Sequence, residues 1–377
     1  MTSLSSLETP VLLLDEARMQ SNIARMQARM NELGVRLRPH AKTSKSVDVV
    51  KRQIEAGARG ITVSTLKEAE SFFAAGIGDI LYAVAIVPAK FDHALKLIRQ
   101  GCKLTLITES VPGSQALSLH GRENGVLYEV MIEIDTDGHR SGVKPADPLL
   151  IEVGKALRAE NGHGARLAGV MTHAGGSYAF NTRDALEAMA EQERSRCVAA
   201  AEALRGAGIA CPTVSVGSTP TALSARSLQG VDEVRAGVYI FFDLVIAGIG
   251  VCTADDIAIS VLCSVIGHQR DSGWVITDGG WMSMSRDRGT QKQPHDYGYG
   301  LVCDAAGRPI PELIFDSANQ EHGVLSWSGD KSVDIAERFP IGSQLRVLPN
   351  HACATAAQHE GYVVLPGLER WKRFNNW

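Results

Sequence analysis

Short apolar and β-branched segments alternate with longer helical segments over the first two-thirds of the chain. Such short runs predict buried strands, whereas apolar residues that recur every three to four positions predict amphipathic helices. The first helix is predicted over 16–33, and a later one over 184–204 carries Leu186, Cys197 and Leu204 on one face. The predicted strands lie at 35–42, 60–65, 79–85, 103–108, 128–135, 166–174, 213–219 and 233–243.

This alternation predicts an α/β fold with two domains. Eight strands with eight helices indicate a (β/α)8 TIM-type barrel, and a doubly wound open sheet is the competing interpretation. From about residue 257 the strands are separated by turns without comparable helices, which predicts a second, mainly β domain. We expect the barrel over 16–248 and the C-terminal β domain over 249–377, with an N-terminal strand at 8–15 joined to the latter.

Composition and charge narrow the class of protein. The 377 residues have a net charge of -4, which gives no basic surface for nucleic acid. Apolar segments fall short of the roughly 20 residues that span a bilayer, and the N-terminus lacks signal-peptide features. The seven cysteines are scattered without CxxC pairs, as in reduced proteins. We therefore expect a cytoplasmic protein without a nucleic-acid or membrane partner.

The segment "RPHAKTSK" at 38–45 ends the first predicted barrel strand. Active sites of (β/α)8 barrels lie at this end of the strands. Strand alternation predicts that Arg38, His40 and Lys42 share one face, where a lysine among cations and apolar walls becomes a nucleophilic amine. A solvated surface group is the commoner explanation of any one lysine, and Lys45, in the following helix, is predicted to be such a group.

Glycine turns follow the last two predicted barrel strands. "VSVGSTPT" places Gly217, Ser218 and Thr219 before a predicted helix start, and backbone amides with hydroxyls in such a turn can bind phosphate. A plain strand-to-helix turn with a Ser/Thr cap is the commoner explanation of this segment alone. "RAGVYIF" adds Gly237 on the neighbouring strand, and a phosphate site shared by the last two strands recurs in this barrel.

Two more loops at the predicted active end carry polar groups. "DTDGHRSGV" places Arg140 in a glycine-punctuated loop, and "THAGGSY" places His173 and Tyr178 around two glycines. A charged tight turn and a hydrogen-bonded structural histidine are the commoner explanations of these two patterns. The loops become candidates because they follow neighbouring barrel strands.

In the β domain, "PNHACATAAQH" contains His351 and Cys353, separated by one residue. If this segment is extended, both side chains point to one side and can supply two ligands of a zinc-like ion. A catalytic ion leaves positions open for water and substrate, whereas a buried cysteine beside a loop histidine is the commoner explanation. "NQEHG" adds Glu321 and His322 as candidate base or outer-shell groups, with a surface loop as the alternative.

Taken in order, these segments resemble one family, the fold-type III pyridoxal-phosphate enzymes acting on D-3-hydroxy amino acids. The family includes dehydratases and aldolases, and its architecture is an alanine racemase-like barrel followed by a β domain. The resemblance covers nearly the whole chain, through the segments "TPVLLLD", "RPHAKTSK", "GITVSTLKEAE", "EIDTDGHRSGV", "VSVGSTPT", "RAGVYIFFDLV", "NQEHG" and "LPNHACAT".

The resemblance implies pyridoxal 5'-phosphate (PLP) as the cofactor. Lys42 corresponds to the lysine that holds it covalently, and His40 faces it. Arg140 corresponds to the arginine near its phenolic oxygen, while His173, followed by Tyr178, lines its pyridine ring. The residues that correspond to the phosphate-binding turns are Gly217, Ser218, Thr219, Gly237 and Tyr239.

The resemblance also implies a divalent metal at His351 and Cys353, zinc or manganese, with magnesium and cobalt as further candidates. The implied reaction is a β-elimination of water from a D-3-hydroxy amino acid of the D-threo-3-hydroxyaspartate, D-serine or D-threonine type, giving a 2-oxo acid and ammonia. Lys42 would remove the α-proton, and the metal would stabilise the departing hydroxyl. Cys353 and the segments "TDGHRSGV" and "GSTPTAL" favour the dehydratase branch, particularly the hydroxyaspartate type.

Three alternatives use the same parts differently. A D-threonine aldolase would cleave the Cα–Cβ bond to give glycine and an aldehyde, with His322 as a candidate base. An amino acid racemase would need a base on each face of the cofactor and no metal. A non-catalytic PLP carrier shares the barrel but usually lacks a second domain. The family resemblance suggests a homodimer.

Overall fold

The structure, a computed structural model, describes residues 4–375. It divides into two compact units. The first, which we name the α/β unit, is Ala24–Gly237. The second, the β unit, is formed by Val238–Asn375 together with the residues up to Ile23.

The strands alternate with helices as far as residue 224 and then follow one another more closely. The strands are β1 (Val11–Asp15), β2 (Arg36–Leu37), β3 (Ile61–Val63), β4 (Asp79–Ala85), β5 (Lys103–Thr108), β6 (Leu127–Ile134), β7 (Ala159–Glu160), β8 (His163–Thr172), β9 (Thr213–Val216), β10 (Glu233–Val234), β11 (Ile259–Gln269), β12 (Trp274–Thr277), β13 (Leu301–Asp304), β14 (Pro309–Ala318), β15 (Gly323–Trp327), β16 (Gln344–Leu348), β17 (Gly361–Leu365) and β18 (Glu369–Lys372).

Helices of two or more turns are confined to the first part of the chain, and later ones are short. The helices are α1 (Glu16–Glu32), α2 (Val47–Glu55), α3 (Leu66–Ala74), α4 (Phe91–Arg99), α5 (Val111–Glu123), α6 (Leu149–Ala156), α7 (Arg183–Gly206), α8 (Thr219–Ser224), α9 (Leu244–Gly248), α10 (Trp281–Met284), α11 (Ile335–Arg338) and α12 (Ala352–Ala356).

The sheet of the α/β unit is parallel, in the order β2-β10-β9-β8-β6-β5-β4-β3, with β7 added antiparallel beside β8. The two ends of this order also meet, because His40, just after β2, forms a parallel bridge with Thr62 of β3. The amide of Ala41 donates to Thr62 O, and the amide of Thr62 donates to Pro39 O. Such strands are covered on both faces, which explains their nearly continuous apolar runs.

The apolar interior of this sheet comes from neighbouring strands at one level. Leu81, Ile107, Met131 and Met171, on β4, β5, β6 and β8, are all buried and form one cluster. Side-chain caps start several of the helices that connect the strands; for example, the Thr65 hydroxyl accepts a hydrogen bond from the amide of Glu68 at the start of α3. These caps fix where the helices begin, and the loops between strand ends and helix starts carry the candidate site residues of this unit.

The β unit contains a second sheet in the order β12-β15-β14-β13-β16-β11-β1-β17-β18. The N-terminal strand β1 lies inside this sheet, antiparallel to β11 and parallel to β17. Leu13 packs there against Leu262 and Val363. The sequence prediction of an α/β region followed by a mainly β domain is therefore confirmed.

The predicted strand at 233–243 is wrong beyond Val234. The residues Val238–Ile240 form a 3-10 helix, and the amides of Phe241 and Phe242 both donate to Val238 O. These local hydrogen bonds replace pairing with a neighbouring strand, so the apolar run is buried as a turn. Tyr239 is fully buried in the β unit and is not on a barrel strand.

The domain boundaries 16–248 and 249–377 stay a prediction, and the compact units divide the chain earlier, after Gly237. The segment that follows Gly237 hydrogen-bonds within the β unit. The amide of Leu244 donates to Pro349 O, and the amide of Ala258 donates to Phe241 O.

Over the residues that the structure describes, there is no helix with the length and apolar character required to cross a membrane.

Candidate active site

Lys42 lies in the turn after β2, at the end where the parallel strands finish. Its side chain is exposed, and its backbone amide lies 3.4 Å from His40 Nδ1. Because an amide donates, His40 Nδ1 accepts, which places the ring proton on Nε2. The pKa of His40 is well below its ordinary value because of burial and the nearby positive charge of Lys42. A neutral imidazole therefore lies beside a primary amine.

Two sequence predictions about this segment are wrong. Strand alternation does not place Arg38 and Lys42 on one face, because β2 ends at Leu37 and Lys42 lies in a turn. The Arg38 guanidinium binds Asp79 (2.8 Å) and Glu233 (3.0 Å), the first residues of β4 and β10. Lys45 is no solvated helix residue. It lies in the turn before α2, and its ammonium pairs with the buried carboxylate of Glu68 at 3.1 Å.

His173 follows β8 and holds the loop after β9. Its Nδ1 lies 2.9 Å from Gly217 O, and a carbonyl oxygen only accepts, so Nδ1 carries the proton and Nε2 has the free lone pair. Burial and the charge of Lys42 lower the pKa of His173 to about 3. Tyr178 lies on the same loop, with its ring centroid 6.4 Å from that of His173.

The glycine turns require glycine for steric reasons. Gly217 has φ of 140°, and a Cβ there would lie 2.2 Å from Arg235 O. A Cβ at Gly237 would lie 3.0 Å from His40 O, so the loop after β10 and the segment after β2 approach closely. A side chain at Gly217 would collide with the backbone, whereas one at Gly237 would fit tightly against His40.

Ser218 caps α8 in a reciprocal arrangement with Thr221. Each hydroxyl accepts from the backbone amide of the other residue. The Ser218 hydroxyl also lies 2.9 Å from the hydroxyl of Ser177, which belongs to the loop after β8. The predicted Ser/Thr turn is therefore a buried hydroxyl cluster at the start of a helix, directly after Gly217.

These groups of the α/β unit fit PLP. The cofactor requires a primary amine, donors for a phosphate and side chains that line its ring. Lys42 provides the amine, the hydroxyl cluster provides donors, and His40 and His173 are neutral. Arg140 lies in the predicted loop, with Nη2 3.2 Å from Glu133 Oε1, and its side chain is more than half exposed.

The candidate metal residues of the β unit lie around the start of α12. His351 is the N-cap residue and Cys353 lies in the first turn, so the predicted extended geometry of this pair is wrong. His351 Nδ1 lies 2.6 Å from Asp287 Oδ2. Burial opposes protonation of His351, but hydrogen bonds with Asp287 and Cys353 raise its pKa to about 11. The same hydrogen bond lowers the pKa of Asp287.

A buried carboxylate supports this short helix from behind. Asp243 accepts from the amide of Ala352 at 2.9 Å and caps α9 through the amide of Ile246. Within residues 4–375, there is no group of three or more His, Cys, Asp or Glu side chains that could hold a metal ion. A nitrogen and a sulfur donor fit an ion that keeps its other positions for water and substrate.

His322 is exposed in the turn between β14 and β15, where its carbonyl accepts from the amide of Asn319. Its assignment as a base stays a prediction.

Sequence reasoning missed two groups that the structure brings to these places. Asp287 comes from the loop after α10, far from His351 in the chain, and no spacing rule connects them. Arg235 is fully buried, and its guanidinium donates to Ser215 Oγ and Thr172 O behind the strand ends. Arg235 could have been found from the sequence, because it is a charged residue within the largely apolar segment predicted as a strand.

The comparisons with known proteins agree with this architecture. The family described as "Alanine racemase, N-terminal domain" matches residues 14–245, and the "Putative serine dehydratase domain" matches residues 258–365. An alanine racemase of Clostridium difficile has the same fold, with a TM-score of 0.70 at 14% identity over 98% of this chain and 99% of that one.

The similar curated proteins are dehydratases and aldolases. D-threo-3-hydroxyaspartate dehydratase of Delftia sp. (strain HT23) is 59% identical over 100% of this chain and 99% of its own length. D-serine dehydratase of Dictyostelium discoideum is 28% identical over 96% and 94%, respectively. D-threonine aldolase of Arthrobacter sp. is 30% identical over 96% and 90%.

A solved structure of D-threo-3-hydroxyaspartate dehydratase from Delftia sp. HT23, 59% identical, superposes with a TM-score of 0.97 over 100% of both chains. A cysteine-to-alanine variant of D-threo-3-hydroxyaspartate dehydratase in the metal-free form superposes with the same TM-score and coverage. The fold and the similarity to these dehydratases define a PLP-dependent lyase. The chain belongs to the fold-type III family of D-3-hydroxy amino acid dehydratases and aldolases, which confirms the resemblance seen in the sequence.

Proposed function

We propose that this chain eliminates water from D-threo-3-hydroxyaspartate or a related D-3-hydroxy amino acid, giving a 2-oxo acid and ammonia. The observation that carries this proposal is the 59% identity to D-threo-3-hydroxyaspartate dehydratase over the entire chain. The match to D-serine dehydratase supports the same reaction type. The match to D-threonine aldolase makes retro-aldol cleavage the second candidate.

PLP is the proposed cofactor, held covalently by Lys42. The residues proposed to hold its phosphate are Gly217, Ser218, Thr219, Gly237 and Tyr239. His40, His173 and Tyr178 would contact its ring, and Arg140 would approach its phenolic oxygen. When bound, the cofactor delocalises the electron pair left at Cα after the α-proton is removed.

Lys42 also has the role of the base. Its Nζ takes the α-proton of the substrate, and its exposure at the ends of the strands leaves it accessible for this transfer. His173 stays neutral next to Lys42, so it adds no positive charge that would weaken the amine as a base. The fixed tautomer of His173 presents an acceptor, Nε2, to a bound molecule.

His351 and Cys353 are the proposed metal ligands. The Nδ1–H group of His351 donates to Asp287 Oδ2, and Nε2, which must lose its proton to bind an ion, would be the ligand atom. Nitrogen and sulfur donors favour zinc, and manganese is the second candidate. When bound, the ion acts as a Lewis acid toward the β-hydroxyl group of the substrate. The metal-free form described for a relative supports a metal in the family. His322 is the candidate base for the aldolase alternative.

The finer architectural expectations are part of the same proposal. The eight parallel strands form a closed (β/α)8 barrel, supported by the bridge between His40 and Thr62. The chain acts as a homodimer, as the family resemblance suggests. The cysteines among residues 4–375 form no disulfide, which fits a reducing cytoplasm.

Product analysis tests the reaction. The PLP- and metal-loaded protein is incubated with D-threo-3-hydroxyaspartate, D-serine or D-threonine, and with their L-enantiomers as controls. We expect oxaloacetate, pyruvate or 2-oxobutyrate, respectively, with equimolar ammonia from the D-substrates. Glycine with glyoxylate, formaldehyde or acetaldehyde would instead establish the aldolase reaction, and interconversion of enantiomers would establish racemisation.

A further inference from the structure

A buried carboxyl group on α7 lies behind the proposed cofactor site. Glu193 is only 2% exposed, and its Oε1 accepts from the amide of Ala174 at 2.9 Å and from the amide of Gly217 at 3.0 Å. A hydrogen bond with the side chain of Thr221 completes its environment. Ala174 follows β8, whereas Gly217 and Thr221 lie on the continuous turn and helix start after β9, so one side chain binds two separate segments.

The position of Glu193 on its helix is unusual for an acidic residue. The same face of α7 carries Ala190, Cys197 and Leu204, all buried. Burying a carboxyl group among apolar residues is unfavourable unless its oxygens are hydrogen-bonded. Burial raises the pKa of Glu193, although the hydrogen bonds from its three partners oppose this shift. The packing of α7 alone would be satisfied by an apolar residue at this position, so the hydrogen bonds explain why a glutamate is buried there.

The hydrogen bonds of Glu193 fix two peptide units of the proposed cofactor site, at Ala174 and at Gly217. Ala174 directly follows His173, so one hydrogen bond holds the backbone beside the imidazole. Gly217 is held from both sides, because its amide donates to Glu193 and its carbonyl accepts from His173 Nδ1. Its φ of 140° is a conformation that other residues rarely adopt, so the turn depends on these contacts.

We propose that Glu193 is a positioning residue that sets the spacing between His173 and the turn Gly217–Thr219, and so the affinity for the phosphate group of PLP. Its Oε1 joins the loop of the proposed ring contact to the loop of the proposed phosphate contact through two amides. This proposal rests on the proposed cofactor site.

The test compares two cofactors that differ only in the phosphate. Apoprotein is titrated with PLP and with pyridoxal, and both dissociation constants are read from the near-visible absorbance. Glu193→Ala removes the acceptor, and we expect the dissociation constant of PLP to rise about 10- to 100-fold. The dissociation constant of pyridoxal should change much less, because pyridoxal has no phosphate group to lose contacts with the displaced turn. If the alanine variant does not fold, Glu193→Asp serves, since its shorter side chain cannot reach both amides.

Two further variants separate positioning from stability. Glu193→Gln keeps an oxygen that accepts from both amides, and it should restore the PLP constant to within about threefold of the parent. Leu204→Ala removes a buried side chain from the same helix; it should lower the unfolding midpoint but leave the ratio of the two dissociation constants unchanged. This control measures what loss of α7 packing does by itself.

The proposal is overturned if Glu193→Ala or Glu193→Asp keeps the parent ratio, if Glu193→Gln behaves like Glu193→Ala, or if Leu204→Ala changes the ratio equally. These results are distinct from failure of the proposed function. That failure would appear in the parent protein, as absence of PLP binding or of dehydration products.

Discussion

The two candidate sites of this chain are built in different ways. In the α/β unit, the loops after β8 and β9 are connected by hydrogen bonds of His173, Ser177 and Glu193, so the site residues are held before any ligand binds. In the β unit, His351 and Cys353 lie on one short helix, and Asp287 orients the histidine. The first site is preorganised by its own side chains, whereas the second offers two donors and relies on an ion to complete it.

The largest expected effect comes from replacing Lys42, which should remove cofactor attachment without changing the metal content. Lys42→Ala should lower the dehydration rate by about 10³-fold or more, because the variant lacks both the covalent attachment and the base. It should also abolish borohydride-stable labelling of the protein by PLP, measured by mass spectrometry. Metal content should not change, since the proposed metal ligands lie in the other unit.

Lys51→Ala is the matched control, because Lys51 is an exposed lysine on α2, the next helix. It should keep full activity and full labelling. If Lys42→Ala kept both, the assignment of this lysine would be wrong, and with it the proposed reaction.

The second prediction addresses the β unit. His351→Ala should remove one of two protein donors, and we expect a loss of metal measured by atomic absorption and a decrease of about 10²-fold in dehydration rate. PLP binding should persist, because Lys42 and all the proposed cofactor residues except Tyr239 belong to the α/β unit. His359→Ala is the control: this histidine lies on the same segment, but its ring binds Ser283 O. Full activity of metal-free His351→Ala would contradict the metal role.

Asp287→Asn should have a smaller effect on the same site. The amide can still contact Nδ1, but it lacks the charge that favours a proton there, so metal affinity should fall by about 10- to 100-fold. Competition with a chromophoric chelator measures this, and excess metal should restore the rate. A rate that excess metal cannot restore would indicate that Asp287 acts on the substrate and not through His351.

The sequence predicted the two sites to different extents, because their residues are brought together in different ways. The loops with Lys42, His173 and Gly217 were found because strand ends follow from hydrophobic patterning, and parallel strands bring their carboxyl ends together. Asp287 and Glu193 were missed because each acts through a partner distant in sequence. Arg38 and Lys45 were misplaced because strand alternation cannot foresee an ion pair with Asp79 or Glu68. For Tyr239, an apolar run did not distinguish a strand from a buried turn.

The smallest expected effect is a pH-dependent change in the stability of the apoprotein, which tests whether His173 is held neutral in the α/β unit without a ligand. His173 has an ordinary pKa of 6.5 and a folded-state pKa of about 3, so below pH 6.5 the unfolded chain binds a proton that the folded chain does not. Stability of the apoprotein should therefore fall as the pH decreases through this range. In His173→Asn, whose amide can still donate to Gly217 O, this loss should be smaller by about 1 to 2 kcal/mol between about pH 7 and about pH 5. Urea unfolding at both pH values measures the difference. An equal loss in parent and variant would mean that His173 is not held neutral by its surroundings, and the contrast between a preorganised site and one completed by an ion would be weaker.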